Sequence, residues 1–183
     1  EEVEEDGKKA LSLYRKAEEM HSREALTSIG FMYYAGQGVD FDEGKAFSYF
    51  RKAAGAGDLD ALFMMGRCYM EGSAVEKDDR KAADCFKETA DRGYPMGMWA
   101  LGQSYLHGIG VQRDEKKAVA LYQKAAGMNL AAAYSALAQC YRYGAGVTED
   151  KAAAVEMYKQ AFALGQGLAA DEIGTMYLVG NEI

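Results

Sequence analysis

Apolar residues in this chain recur on a fixed stride. Ala25, Ile29 and Tyr33 stand four apart, with Leu26 and Gly30 beside them, which is the stripe of one helical face. Ala46, Phe50 and Ala53 make a second stripe, and polar residues separate the two. The pair then returns. Gly30, Gly66, Gly102, Ala138 and Gly174 are each 36 residues apart, as are Tyr33, Tyr69, Tyr105, Tyr141 and Tyr177. Gly36, Gly72, Gly108, Gly144 and Gly180 keep the same register, as do Ala10, Ala46, Ala82, Ala118 and Ala154. Val3, Val39, Val75, Val111, Val147 and Ile183 form another such series, and no insertion breaks it. A stride of this length marks stacked repeats. Each unit is expected to hold a first helix over about 25–35 and a second from about Glu43 to Ala54.

The polar positions punctuate these helices. Asp6, Asp42, Asp78, Asp114 and Asp150 recur just before each second helix. There a carboxylate can cap the free N–H groups of the first turn. Glycine after the first helix, in G-x-G-V or a variant such as Gly72-Ser73-Ala74-Val75, permits the left-handed turn that ends it. Its valine is expected to plug the corner. Gly57, Gly93 and Gly165 are expected to stop the second helix, with Asn129 and His21 at the same phase. Glycine inside a helix costs about 1 kcal/mol relative to alanine. Its return at Gly30, Gly66, Gly102 and Gly174 therefore implies close packing, with Phe50, Phe86, Tyr122 and Tyr158 as the facing series.

One stretch imitates a phosphate-binding loop. Gly38 and Gly44-Lys45 approach G-x-x-x-x-G-K-[ST], but five residues separate the glycines and Ala46 replaces the hydroxyl. Asp40, Asp42 and Glu43 would repel phosphate, and Gly44 does not recur. The stretch reads as a helix-helix turn.

A net charge of −7 disfavours nucleic acid and anionic membranes as partners. No apolar run is long enough to span a bilayer. Cys68, Cys85 and Cys140 form no C-x-x-C motif and cannot all pair internally. They read as free thiols in a reducing compartment such as the cytoplasm, with periplasm, secretion or the endoplasmic reticulum lumen left open. His21 and His107, the two histidines, read as helix-end residues. No motif suggests a catalytic, cofactor or metal site. The run Glu1 to Glu5 reads as a divergent loop by phase, with Val3 as plug and Asp6 as cap of a helix over 8–20.

The unit A-x-x-x-ϕ-G-x-x-Y-x-x-G-x-G-V-x-x-D-x-x-K-A, continuing through an aromatic to K-A-A-x-x-G, resembles the Sel-like repeat (SLR). One copy reads GMWALGQSYLHGIGVQRDEKKAVALYQKAAGMN over 97–129, with Gly97 where the other copies have alanine. The resemblance implies an all-α, right-handed α/α superhelix, or solenoid, of 36-residue helix-turn-helix repeats. The expected layout is one solenoid domain over 1–183. It comprises a second helix in 1–24, repeats at 25–60, 61–96, 97–132 and 133–168, and a first helix in 169–183. The chain starts and stops near the same phase, which reads as a segment of a longer array. Family members act in protein quality control, in activating cell-wall synthases and in bacterial signalling or host interaction. A cysteine-rich branch linked to β-lactam binding carries one cysteine pair per repeat, a pattern this chain lacks.

The resemblance thus implies a non-enzymatic scaffold that binds a protein or peptide in a concave groove. Recurring residues mark architecture, so the varying positions of the first helix are the binding candidates. By helical geometry three of them share one face in each copy. They are Thr27, Phe31 and Tyr34; Phe63, Arg67 and Met70; Trp99, Gln103 and Leu106; and Ser135, Gln139 and Arg142. Aromatic residues, arginine and methionine are enriched at interfaces. The groove is expected to centre on Phe63, Arg67 and Trp99, although Phe63 and Trp99 can equally bury against the preceding second helix. The alternatives are a regulatory or activating module of an enzyme, a weak hydrolase, and a self-assembling array. Ile173, Met176 and Tyr177 are the candidates for self-association at one end.

Overall fold

The computed structural model describes residues 2–178, with side chains from Asp6 onward. Among them are ten helices and no strand. They are α1 (Glu2–Glu19), α2 (Arg23–Ala35), α3 (Glu43–Gly55), α4 (Leu59–Glu71), α5 (Asp79–Asp91), α6 (Pro95–His107), α7 (Glu115–Gly127), α8 (Ala131–Tyr143), α9 (Lys151–Ala163) and α10 (Leu168–Leu178). Even-numbered helices are the first helices of the repeats and odd-numbered ones the second. The chain divides into two compact units, Glu1–Cys85 and Phe86–Ile183. The expected positions Gly180 and Ile183 lie outside the described residues, as does Glu1.

Caps set the boundaries. The side chains of Asp42, Asp78, Asp114 and Asp150 accept from the backbone N–H three residues on, at 2.9, 3.0, 3.0 and 2.9 Å. Each of these aspartates also donates its own N–H to the carbonyl of Tyr33, Tyr69, Tyr105 or Tyr141, at 2.8 to 3.0 Å. One residue thereby starts the second helix and ties it to the first. The first helices begin two residues before the apolar stripe, and α2 and α4 are capped by Ser22 and Asp58. In α6, Pro95 opens the helix, where its missing N–H costs nothing.

Lysine completes the motif three times. Lys45, Lys81 and Lys117 reach Asp42, Asp78 and Asp114 at 3.1, 3.1 and 3.3 Å. The same ammonium groups lie 5.2, 5.4 and 5.3 Å from the ring centres of Tyr33, Tyr69 and Tyr105. The near-match to a nucleotide loop is therefore a capped helix start.

Left-handed backbone falls where the turns were expected. Gly36 and Gly38 have φ of 66° and 69°, and Ala74 takes the same region at 64°. Gly38 also faces Gly7 of α1, where a Cβ would lie 2.7 Å from the Gly7 carbonyl oxygen. The second stop is left-handed at Gly57, Gly93 and Gly165, and at His21 and Asn129 with φ of 63° and 61°.

Close packing explains the mid-helix glycine. A Cβ on Gly30 would stand 2.7 Å from the ring of Phe50, and one on Gly102 would run into the ring of Tyr122. Both rings are fully buried. In the second unit Ala118, Val119, Tyr122, Ala125, Leu137 and Cys140 form one core, and Ala138, Ala154, Tyr158, Ala169 and Met176 another.

The chain's first turn departs from expectation. Glu2 to Glu5 belong to α1, not to a loop, and Asp6 lies inside the helix instead of capping it. The equivalents of Asp6 are held by a tyrosine carbonyl of a first helix.

Candidate functional site

The varying first-helix positions line up as the helical period requires, and their surroundings differ. In the first unit, Thr27 is buried and its hydroxyl donates to the Arg23 carbonyl at 3.3 Å. Phe31 is 40% exposed and meets Phe50 edge-on at 5.2 Å between ring centres. Tyr34 is half-buried, 6.4 Å from Phe50. A cavity of about 280 Å³ opens beside Phe31, lined also by Tyr14, Ser28, Met32 and Gln37.

On α4, Phe63 is buried, Arg67 is half-buried and Met70 is 37% exposed. Arg67 bridges two repeats. Its Nη2 donates to Glu71 Oε1 at 2.7 Å and to Tyr34 Oη at 3.4 Å, and the guanidinium carbon lies 6.0 Å from the centre of the Tyr34 ring. A guanidinium that already holds a carboxylate is a rigid, neutralised contact surface rather than an open anion site.

In the second unit, Trp99 and Leu106 are half-buried and pack against the core around Tyr122. Gln103 is half-buried between them along α6, and Gln139 on α8 is exposed. Ser135 donates to Gln166 Oε1 at 2.8 Å. Arg142 donates to Glu172 Oε2 at 2.9 Å with its side chain only 16% exposed, and it lies 5.3 Å from the Tyr143 ring centre. Burial first, and then Glu172, raises the Tyr158 phenol above its ordinary value.

Two carboxylates that hold these arginines, Glu71 in the first unit and Glu172 in the second, were not among the candidates. Glu71 was legible, because it follows Arg67 by four residues in a helix. Glu172 was not, since it meets Arg142 from the next repeat.

Reactive chemistry finds little support among the described residues. None of the three cysteines forms a disulfide, and Cys68 and Cys140 are buried. Burial raises the Cys68 thiol and, with help from Glu115, pushes Cys140 up to about 11, so neither is a thiolate at neutral pH. No cluster of three or more His, Cys, Asp or Glu side chains could hold a metal, and no helix is long and apolar enough to cross a membrane.

Stacked two-helix units with a glycine notch, a capped second helix and a varying first-helix face define an all-α helical-repeat solenoid. The Sel1 repeat model matches at residues 1–22, 23–58, 59–94, 95–130 and 131–166, and the chain belongs to the Sel1 repeat family. Those boundaries fall at the starts of α2, α4, α6 and α8. Among solved structures it is similar to a Sel1 repeat protein from Oxalobacter formigenes, with 32% identity and a TM-score of 0.86, covering 94% of this chain and 71% of that one. It is also similar to c5321, a protective antigen of uropathogenic Escherichia coli with an SLR fold, at 29% identity and a TM-score of 0.83. That match covers 93% of this chain and 36% of the antigen. Helicobacter pylori cysteine rich protein B matches at 25% identity and a TM-score of 0.55, over 72% of this chain and 94% of that one. A comparison with curated proteins returns no match. Sel1 repeat proteins are generally protein-interaction scaffolds, and their fold is typically non-catalytic.

Proposed function

We propose that this chain is a non-enzymatic scaffold whose first-helix faces bind an extended peptide or a helix of a partner protein. The observation that carries this reading is a contrast within the first helices. Core, cap and notch positions recur with few exceptions, whereas the outward first-helix positions change from Phe31 to Arg67 to Gln103 to Gln139. A purely structural face would recur with the rest.

Preorganisation supplies the mechanism. Trp99 is held against a packed core, and Arg67 is held by Glu71 and Tyr34. Little side-chain entropy is then lost on docking. Phe31 and Met70 offer apolar area, while Gln103 and Gln139 offer hydrogen bonds to a peptide backbone.

Affinity capture with this chain, set against a Trp99→Ala/Arg67→Glu double variant, tests the reading. Proteins retained by the first and lost by the second support it, provided the variant keeps its helical circular dichroism. Equal retention by both counts against it.

A further inference from the structure

Two polar side chains of the second unit's first-helix face are engaged within the chain. Ser135 donates to Gln166 Oε1 at 2.8 Å, and Arg142 donates to Glu172 Oε2 at 2.9 Å. Two amides differ. Gln103 on α6 is half-buried and Gln139 on α8 is exposed, and neither side chain has a hydrogen-bond partner among the described residues. They stand one stride of 36 apart, at the same phase of consecutive first helices. Both helices pack on one core, α6 through Trp99 and Leu106 and α8 through Leu137 and Cys140. Each amide carries both donor and acceptor.

The same two helices are almost free of charge. Of the chain's residues 27% are Asp, Glu, Lys or Arg, and its net charge is −7. Residues 95–107 and 131–143 hold one of them, Arg142, and Glu172 neutralises it. The second helix between them, α7, carries Glu115, Lys116, Lys117 and Lys124. A face without carboxylates does not draw a basic segment, and one without a free cation does not draw an acidic one.

A pair of amides also discriminates between shapes. Helical backbone has its N–H and C=O groups bonded internally, whereas extended backbone leaves them free. We propose that the α6–α8 face takes an extended, low-charge segment of a partner protein, whose main chain is held by Gln103 and Gln139. The proposal rests on the scaffold reading above and selects one of its two shapes. Trp99 and Leu106 supply the apolar area beside the amides. Recognition is then of backbone and neutral side chains, not of a charge pattern.

Random linear peptides displayed on phage and selected on the whole chain supply the probe. Retained peptides are synthesised and titrated by calorimetry. Binding at this face is expected to weaken with Trp99→Ala, in a variant that keeps its helical circular dichroism. The peptides are expected to be poor in charged residues, and their affinity to change less than about twofold between about 50 and 500 mM salt. N-methylation of the peptide N–H groups that the amides hold is expected to cost about tenfold, with every side chain unchanged. Gln103→Leu and Gln139→Leu are each expected to cost about tenfold as well. Gln139 is exposed, so its replacement leaves the fold intact.

Peptides that need Trp99 yet tolerate both leucine variants and every N-methyl group overturn the proposal and leave the scaffold reading standing. So do peptides that bind as helices, or whose affinity falls steeply with salt. Peptides indifferent to Trp99→Ala, or a selection that retains none, overturn both.

Discussion

Thr89 and Gly97 share one site. A Cβ on Gly97 would lie 2.7 Å from the Cβ of Thr89 and closer still to its hydroxyl. In the other copies the same two phases hold Ala53 and Ala61, Ala125 and Ala133, and Ala161 and Ala169, all at most 1% exposed. The third copy has moved volume from one partner to the other. The lone departure of Gly97 from alanine is thus a compensation made across α5 and α6.

Gly97→Ala should destabilise the chain by about 1–3 kcal/mol through overpacking, despite the better helix propensity of alanine. Thr89→Ala should cost about 1 kcal/mol through lost contacts. The double variant, which restores the alanine pair of the other copies, should recover most of both losses. Urea unfolding of the four proteins measures this as a coupling energy.

Tyr122 and Tyr158 occupy one phase with opposite fates. The Tyr158 phenol feels the charge of Arg142, whereas the hydroxyl of Tyr122 is buried and finds no partner among the described residues. One stride before Arg142 stands Leu106, which has no donor to offer. Tyr122→Phe should therefore be neutral or stabilising by up to about 1–3 kcal/mol, the cost of an unmet buried polar group. Tyr158→Phe should show no such gain, because the nearby Arg142 charge favours the polar group it removes. Thermal melts of the two variants compare them directly.

The caps give the fold an acid limit. Asp42, Asp78 and Asp114 are held below the usual carboxylate value, chiefly by the backbone N–H of Lys45, Lys81 and Lys117. A depressed native value means that the unfolded chain binds more protons. The stabilisation is then complete above about pH 3.9 and is lost as pH falls through the native values. Replacing all three by Asn, a cap that does not titrate, should flatten the helical signal between pH 4 and pH 2, about the range in which a depressed Asp titrates.

Thiol reactivity should divide by depth. Cys85 is half-buried, Cys68 is 3% exposed and Cys140 fully buried. Alkylation at pH 8 should label Cys85 first. Cys68 and Cys140 should follow only at the rate of unfolding, because burial keeps both protonated. Mass spectrometry over time resolves the order.

The architecture was legible because it recurs. Gly30 facing Phe50, Gly102 facing Tyr122, the Asp caps and the left-handed turns at His21 and Asn129 all follow from position within the stride. What a single copy carries was harder to read. The pairing of Arg142 with Glu172 joins residues 30 apart, and the same phase holds Leu106 one stride earlier. The exchange between Thr89 and Gly97 shows only when both phases are compared. Asp6 keeps the phase of a cap yet lies inside α1, which position within the stride does not reveal. Burial within the binding face, deep at Thr27 and Phe63 and shallow at Phe31 and Met70, depends on neighbours that the helical period does not specify.

Trp99 is the one tryptophan in the chain and stands on the proposed binding face, so its emission reports occupancy without a label. The decisive measurement titrates a captured partner while following that emission, beside calorimetry of the wild type and of Trp99→Ala. The account expects an emission change that saturates with the calorimetric affinity, and at least a tenfold loss, about 1.4 kcal/mol, in the variant. Tight binding that leaves the emission unchanged and the Trp99→Ala affinity intact would place recognition on another surface.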